Sequence, residues 1–102
     1  MFSELDEEIE LTKRHFLIFS LIREREPIGI VKLSEATGYP KHKIRYSLQV
    51  LQEEGVIEPT NQGAVPTEDA ERFARTRFEQ IDDLIDRLEA LRSATPEPSV
   101  SP

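Results

Sequence analysis

Few residues in this chain of 102 could do chemistry, and most of those are cations. Cysteine is absent, and the two histidines, His15 and His42, lie far apart. Disulfides, thiolate metal sites and a cysteine nucleophile are therefore excluded, and no HExxH spacing builds a histidine metal site. The paired carboxylates Asp82-Asp83 and Glu53-Glu54 are sequence neighbours, which point apart on a helix. No Gly-rich phosphate loop occurs, and the serines have no His and Asp arranged around them. These features predict no enzyme, no metal and no cofactor. What remains is charge. The net charge is −7, but residues 1–11 carry −5, residues 12–54 carry +3 and residues 55–102 carry −5. Residues 36–52 hold no acid, while Lys41, Lys43 and Arg45 fall among them. Positive charge gathered into one stretch of an acidic chain suits contact with an anionic partner.

The elements that must carry this stretch can be read from apolar spacing and from Gly and Pro. Residues 30–57 read IVKLSEATGYPKHKIRYSLQVLQEEGVI. Val31, Leu33 and Ala36 give a helix of about two turns over 31–37, with Gly38 at its C-cap. Tyr39-Pro40 opens a second helix, from Pro40 to Glu54, because Pro is tolerated in a first turn. Ile44, Leu48 and Leu51 recur at i, i+4 and i+7 and form its buried stripe. The opposite face then holds Lys41, His42, Arg45, Tyr46, Gln49 and Gln52. Gly55 ends the helix.

The flanking segments follow the same logic. Ser3 is placed to cap a first helix that Pro27 stops, with acids in its first turns. Its half from Phe16 to Ile22 is apolar almost all round and should be buried on more than one side. The pattern leaves room for a break near Leu11–Lys13. Residues 27–30 (PIGI) suit a short strand. Residues 56–66 (VIEPTNQGAVP) read as a hairpin kept short by Pro59. Thr67 is expected to cap a last helix running to about Arg92. Phe73 and Phe78 are expected to fold back on the core. Beyond them Ile81, Leu84, Leu88 and Leu91 keep 3-4-3 spacing with Ile85 beside them, a short seam that needs a partner surface. The first helix of the same chain and a second subunit both fit, and a second subunit fits better. Residues 93–102 (SATPEPSVSP) read as a disordered tail.

The bulk numbers agree with one small domain over 1–92. Apolar residues make up 37% and charged residues 32%, so a single copy has little to bury and a partner subunit is favoured. No apolar run approaches the ~20 residues of a membrane span. The acidic opening MFSELDEEIE is unlike a signal peptide, so the expected location is the cytoplasm. Four lysines against nine arginines, an acidic surface and no cysteine resemble proteins of halophilic archaea and other salt-loving microbes, although an ordinary acidic surface reads the same way.

The residues LSEATGYPKHKIRYSLQVLQEEGVIE, the hairpin and the following VPTEDAERF together resemble winged helix-turn-helix transcriptional regulators, broadly the MarR-like and PadR-like types. The resemblance covers residues 12–92. It implies a mainly α fold with a small β-hairpin wing and a long C-terminal dimerisation helix. It also implies a homodimer that sets two recognition helices in successive major grooves of double-stranded DNA. Carried onto this sequence, Lys41, Lys43 and Arg45 are candidates for phosphate or guanine, Tyr46 for a phosphate or a thymine methyl, and Gln49 for adenine. His42 lies beside them, and Ser34 and Thr37 are candidates for phosphates. Ile81, Leu84, Ile85, Leu88 and Leu91 are the candidates for dimerisation. Family wings often carry a basic residue, whereas Thr60, Asn61 and Gln62 are uncharged. The bland reading of each polar residue is a solvated helix face. The competing function is a winged-helix protein-protein interaction module in a larger complex, without direct DNA binding.

Overall fold

The computed structural model describes residues 2–94, which form four helices and one antiparallel hairpin. In chain order these are α1 (Phe2–Arg25), α2 (Ile30–Thr37), α3 (Lys41–Glu53), β1 (Ile57–Thr60), β2 (Gly63–Pro66) and α4 (Ala70–Ala94). The mainly helical class with a small hairpin agrees with the sequence. The chain divides into two compact units, one ending at Ala70 and one beginning at Glu71.

In the first unit α1 packs against α2, α3 and β2. Ile18, Phe19, Leu21 and Ile22 are buried, which uses more than one side of the helix, as its apolar half requires. Leu17 is the exception and stays exposed. The helix is continuous through Leu11–Lys13. It begins at Phe2, so Ser3 lies inside its first turn and is not the cap. Leu5 and Ile9, in the acidic half, are exposed.

Two side chains and one glycine fix the turn between α2 and α3. Gly38 takes φ +81°, which only glycine adopts without cost, and its N–H donates to the Ser34 carbonyl at 2.8 Å. The Ser34 hydroxyl donates to the Tyr39 carbonyl at 2.7 Å, and the Thr37 hydroxyl to the Leu33 carbonyl at 2.7 Å. The Tyr39 N–H donates to Thr37 Oγ1 at 3.2 Å. Pro40 is the N-cap of α3, one residue before the helix proper. Of the apolar residues expected to seat α2, only Leu33 is buried; Val31 and Ala36 are exposed. Fully burying Leu33 contributes roughly 1.5–3 kcal/mol, which for an eight-residue helix outweighs its weak local propensity.

The hairpin pairs Ile57 with Pro66, Glu58 with Val65, Pro59 with Ala64 and Thr60 with Gly63. Ile28 joins it by a single bridge, donating to the Ala64 carbonyl at 3.2 Å and accepting from its N–H at 2.8 Å. The strand expected over 27–30 is therefore one residue long, because Ile30 already belongs to α2. Ala64 spends both backbone groups on Ile28, so its pairing with Pro59 needs no hydrogen bond and the missing proline N–H costs nothing. Gly63 lets the strands close on Ile28: an added Cβ there would lie 2.5 Å from the Ile28 carbonyl carbon.

Thr67 does not cap α4. Its hydroxyl donates to the Gly55 carbonyl at 2.7 Å and its N–H to the Val56 carbonyl at 3.0 Å, so it ties the end of the hairpin to the exit of α3. Helix α4 starts three residues later.

The second unit is the body of α4. Its Arg77 guanidinium lies 5.0 Å from the centre of the Phe73 ring, and Arg87 pairs with Asp83 at 3.0 Å on the solvent side. Phe73 is half-buried, but Phe78 is exposed and is not the core residue the sequence suggested. The helix takes in Ser93 and Ala94, and residues 95–102 of the expected tail lie outside the described residues.

Candidate nucleic-acid interface

Helix α3 is seated by Ile44, Ser47 and Leu51, all buried, with Leu48 and Val50 half-buried at the margins. At 3.6 residues per turn the side opposite Ile44, Ser47 and Leu51 carries His42, Arg45, Tyr46, Gln49 and Glu53. All five are exposed. Lys41 and Lys43, also exposed, flank that face on opposite sides. The fold thus brings six of the eight candidate contact residues onto one surface. It is cationic at the N-terminal end of the helix and acquires its first carboxylate, Glu53, at the other end.

Two of the six are engaged. Gln49 Nε2 donates to Glu53 Oε1 at 3.3 Å, one turn further on. An adenine edge would have to displace that carboxylate. The Tyr46 ring lies 5.9 Å from the His15 ring, tilted by 42°, and remains about half exposed. Ser34 and Thr37, the other two candidates, are half-buried and donate their hydroxyl protons to the turn carbonyls described above. Their visible role is to set the angle at which α3 leaves α2.

Sequence reasoning missed the residue that matters most for the pose of α3. Ser47 is 0% exposed, the only fully buried polar side chain among the described residues. Arg14 Nε donates to its hydroxyl oxygen at 3.1 Å, and His15 Nδ1 lies 2.7 Å from the same oxygen. The Arg14 guanidinium also lies 5.8 Å from the centre of the Tyr39 ring. One α1 pair therefore reaches both the turn before α3 and the middle of α3. Burial, and then the charge of Arg14, hold the His15 pKa below its ordinary value of 6.5. The signal was present: Ser47 stands three residues after Ile44 and four before Leu51, in the stripe itself. An apolar count assigned that place to Leu48.

The hairpin tip carries no charge. Thr60 Oγ1 donates to the Gly63 carbonyl at 2.6 Å and accepts from the Gln62 N–H at 3.2 Å, so the turn is closed on itself. Between this tip and α3 lies an open cleft lined by Ile28, Ile30, Leu48, Gln52, Pro59 and Gln62 among others. In the second unit, Leu84, Ile85, Leu88 and Leu91 form an exposed apolar stripe along α4, 55% and 60% exposed at Leu84 and Leu88, with Ile81 half-buried at its start. No group of acids and histidines able to hold a metal ion occurs among the described residues, and no described helix is long and apolar enough to cross a membrane.

No known protein family matches the chain, and no curated protein matches it.

Proposed function

We propose that the chain is a sequence-specific DNA-binding transcriptional regulator of the winged helix-turn-helix type, acting in the cytoplasm as a homodimer. Helix α3 enters the major groove, the hairpin is the wing, and the α4 stripe of Ile81, Leu84, Ile85, Leu88 and Leu91 joins two copies. The observation that carries the reading is the exposed α3 face. In a chain of net charge −7 it gathers Lys41, His42, Lys43, Arg45, Tyr46 and Gln49, behind a short helix and a glycine turn that fix its angle. Arg45 faces outward with a fork of donors suited to guanine or phosphate. Lys41 and Lys43 flank it where phosphates border a groove. With an uncharged wing, α3 has to supply most of the contacts, and a second copy has to supply the rest.

The test is a selection of duplex sequences, followed by affinity measurements on wild type and Arg45→Ala. Selection should enrich a two-fold symmetric site with half-sites ~34 Å apart, one turn of DNA. Arg45→Ala should cost about 1–3 kcal/mol of binding per half-site while the protein stays folded. An unchanged affinity would refute the assignment of this face.

The exposed α4 stripe favours a second reading, a winged-helix interaction module that binds another protein and no DNA. A monomer that enriches no sequence would support that reading.

A further inference from the structure

We infer that Arg14 and His15 are positioning residues for α3, and that Ser47 makes the hold proton-sensitive: neutral His15 locks α3 onto α1, and protonated His15 releases it. The inference rests on the reading of α3 as the DNA-contacting helix only for its functional consequence; the clamp itself is a property of the folded chain.

Hydrogen-bond polarity carries it. Arg14 Nε–H can only donate, so the Ser47 oxygen accepts from it at 3.1 Å. The Ser47 proton then needs an acceptor, and His15 Nδ1 lies 2.7 Å away. A neutral ring that carries its proton on Nε2 satisfies all three groups at once. Protonation turns Nδ1 into a donor. Two donors then face one buried hydroxyl oxygen, and the Ser47 proton is left to compete for a backbone carbonyl of its own helix. A second cation also appears beside Arg14 at a site where Ser47 is 0% exposed.

The surroundings bear on the effect. Arg14 comes from α1 itself, and Tyr46 and Ser47 face the ring from α3. Tyr39 packs against Arg14 from the turn, whereas Asp6, Glu7 and Glu10, which line a shallow depression with Arg14 along α1, are acids that act against the effect. Tyr46 is both the neighbour of His15 and a member of the outward face, so a shift of the ring reaches the contact surface directly. Burial and the Arg14 charge lower the His15 pKa, so the unfolded chain takes up this proton more readily than the folded one. The stability held by neutral His15 is complete above 6.5, the ordinary value. It is lost as pH falls through the lowered folded value.

The test compares wild type with His15→Asn, whose side-chain oxygen can accept near the Nδ1 position and takes up no proton. Urea midpoints and DNA affinities are measured at about pH 7.5 and 5.5. Each protein is compared with its own values at pH 7.5, because the variant also lacks the ring beside Tyr46, and wild type should lose more of both quantities at pH 5.5 than His15→Asn does. Every other group is common to the two proteins and cancels in the comparison. Equal losses would overturn the inference. The two imidazoles are also followed by NMR in wild type alone, so the outcome does not depend on the variant folding. A His15 midpoint at or above the ordinary 6.5 would equally overturn it. Absence of DNA binding by wild type at pH 7.5 would sink the regulator reading. The midpoints and the NMR titration would still decide the clamp.

Discussion

Replacing Gly63 by alanine tests whether the hairpin is held against the helices as described. The new Cβ would lie 2.5 Å from the Ile28 carbonyl carbon and 2.7 Å from its nitrogen and oxygen, where ordinary contact begins near 3.4 Å. All three are backbone atoms, so no side chain can swing aside. Ile28 and β2 must separate by roughly an ångström, which breaks the two hydrogen bonds between Ile28 and Ala64. Each contributes about 0.5–1.5 kcal/mol. Gly63 also has φ +132°, a conformation that costs alanine of the order of 1–3 kcal/mol. Together these amount to about 2–6 kcal/mol, a large part of the stability of a small domain. With a urea m-value of about 1–3 kcal/mol per molar, the midpoint should fall by about 0.7 M or more, or the chain should fail to fold. Gly29→Ala is the control, because nothing lies within 4 Å of its added Cβ and its φ of −100° suits any residue. A loss below about 1 kcal/mol for Gly63→Ala would refute the close approach of β2 to Ile28.

Other perturbations probe separate parts of the account. Ser47→Ala removes a buried hydroxyl that serves both Arg14 and His15, and equilibrium unfolding should show a loss of about 1–3 kcal/mol; a neutral result would mean water replaces it freely. Leu84→Glu with Leu88→Glu places two charges in the exposed α4 stripe. If the proposed dimer forms through this stripe, sedimentation should report a monomer for the variant and a dimer for wild type, and a variant dimer that persists would move the interface elsewhere. The acidic surface repels itself at net charge −7, so raising KCl from 0.1 to about 2 M should raise the melting temperature; a fall would argue against self-repulsion as a main destabilising term.

Periodicity made the helices legible because burial on one face repeats every three or four residues, as at Ile18, Ile22, Ile44 and Leu51. Gly38, Gly55 and Gly63 marked turns because each has a positive φ that other residues resist. Polar side chains were harder to read. Ser3, Ser34, Thr37 and Thr67 all have the composition of caps or phosphate ligands. In the fold, Ser34, Thr37 and Thr67 donate to carbonyls near them in space, and Ser3 lies within a helix. Thr37 bonds back within its own helix and Ser34 across the adjoining turn, whereas the partner of Thr67 lies twelve residues away and depends on the closed chain, which spacing does not encode. Ser47 was hidden for the same reason: its partners Arg14 and His15 lie 33 and 32 residues away. The charge of the α3 face was legible in full, since acids are absent from residues 36–52. The capture of Gln49 by Glu53, just past that window, was not.

The central claim is that α3 binds duplex DNA, and its most direct test is a titration of labelled duplex across salt concentrations. Lys41, Lys43 and Arg45 would supply at most three charge-neutralising phosphate contacts per copy and six in the proposed dimer. The slope of log K against log salt should therefore be negative and no steeper than about −5.4, at about −0.9 per contact. Binding at low salt that weakens along such a slope is the expected result. No binding at any salt would contradict the account.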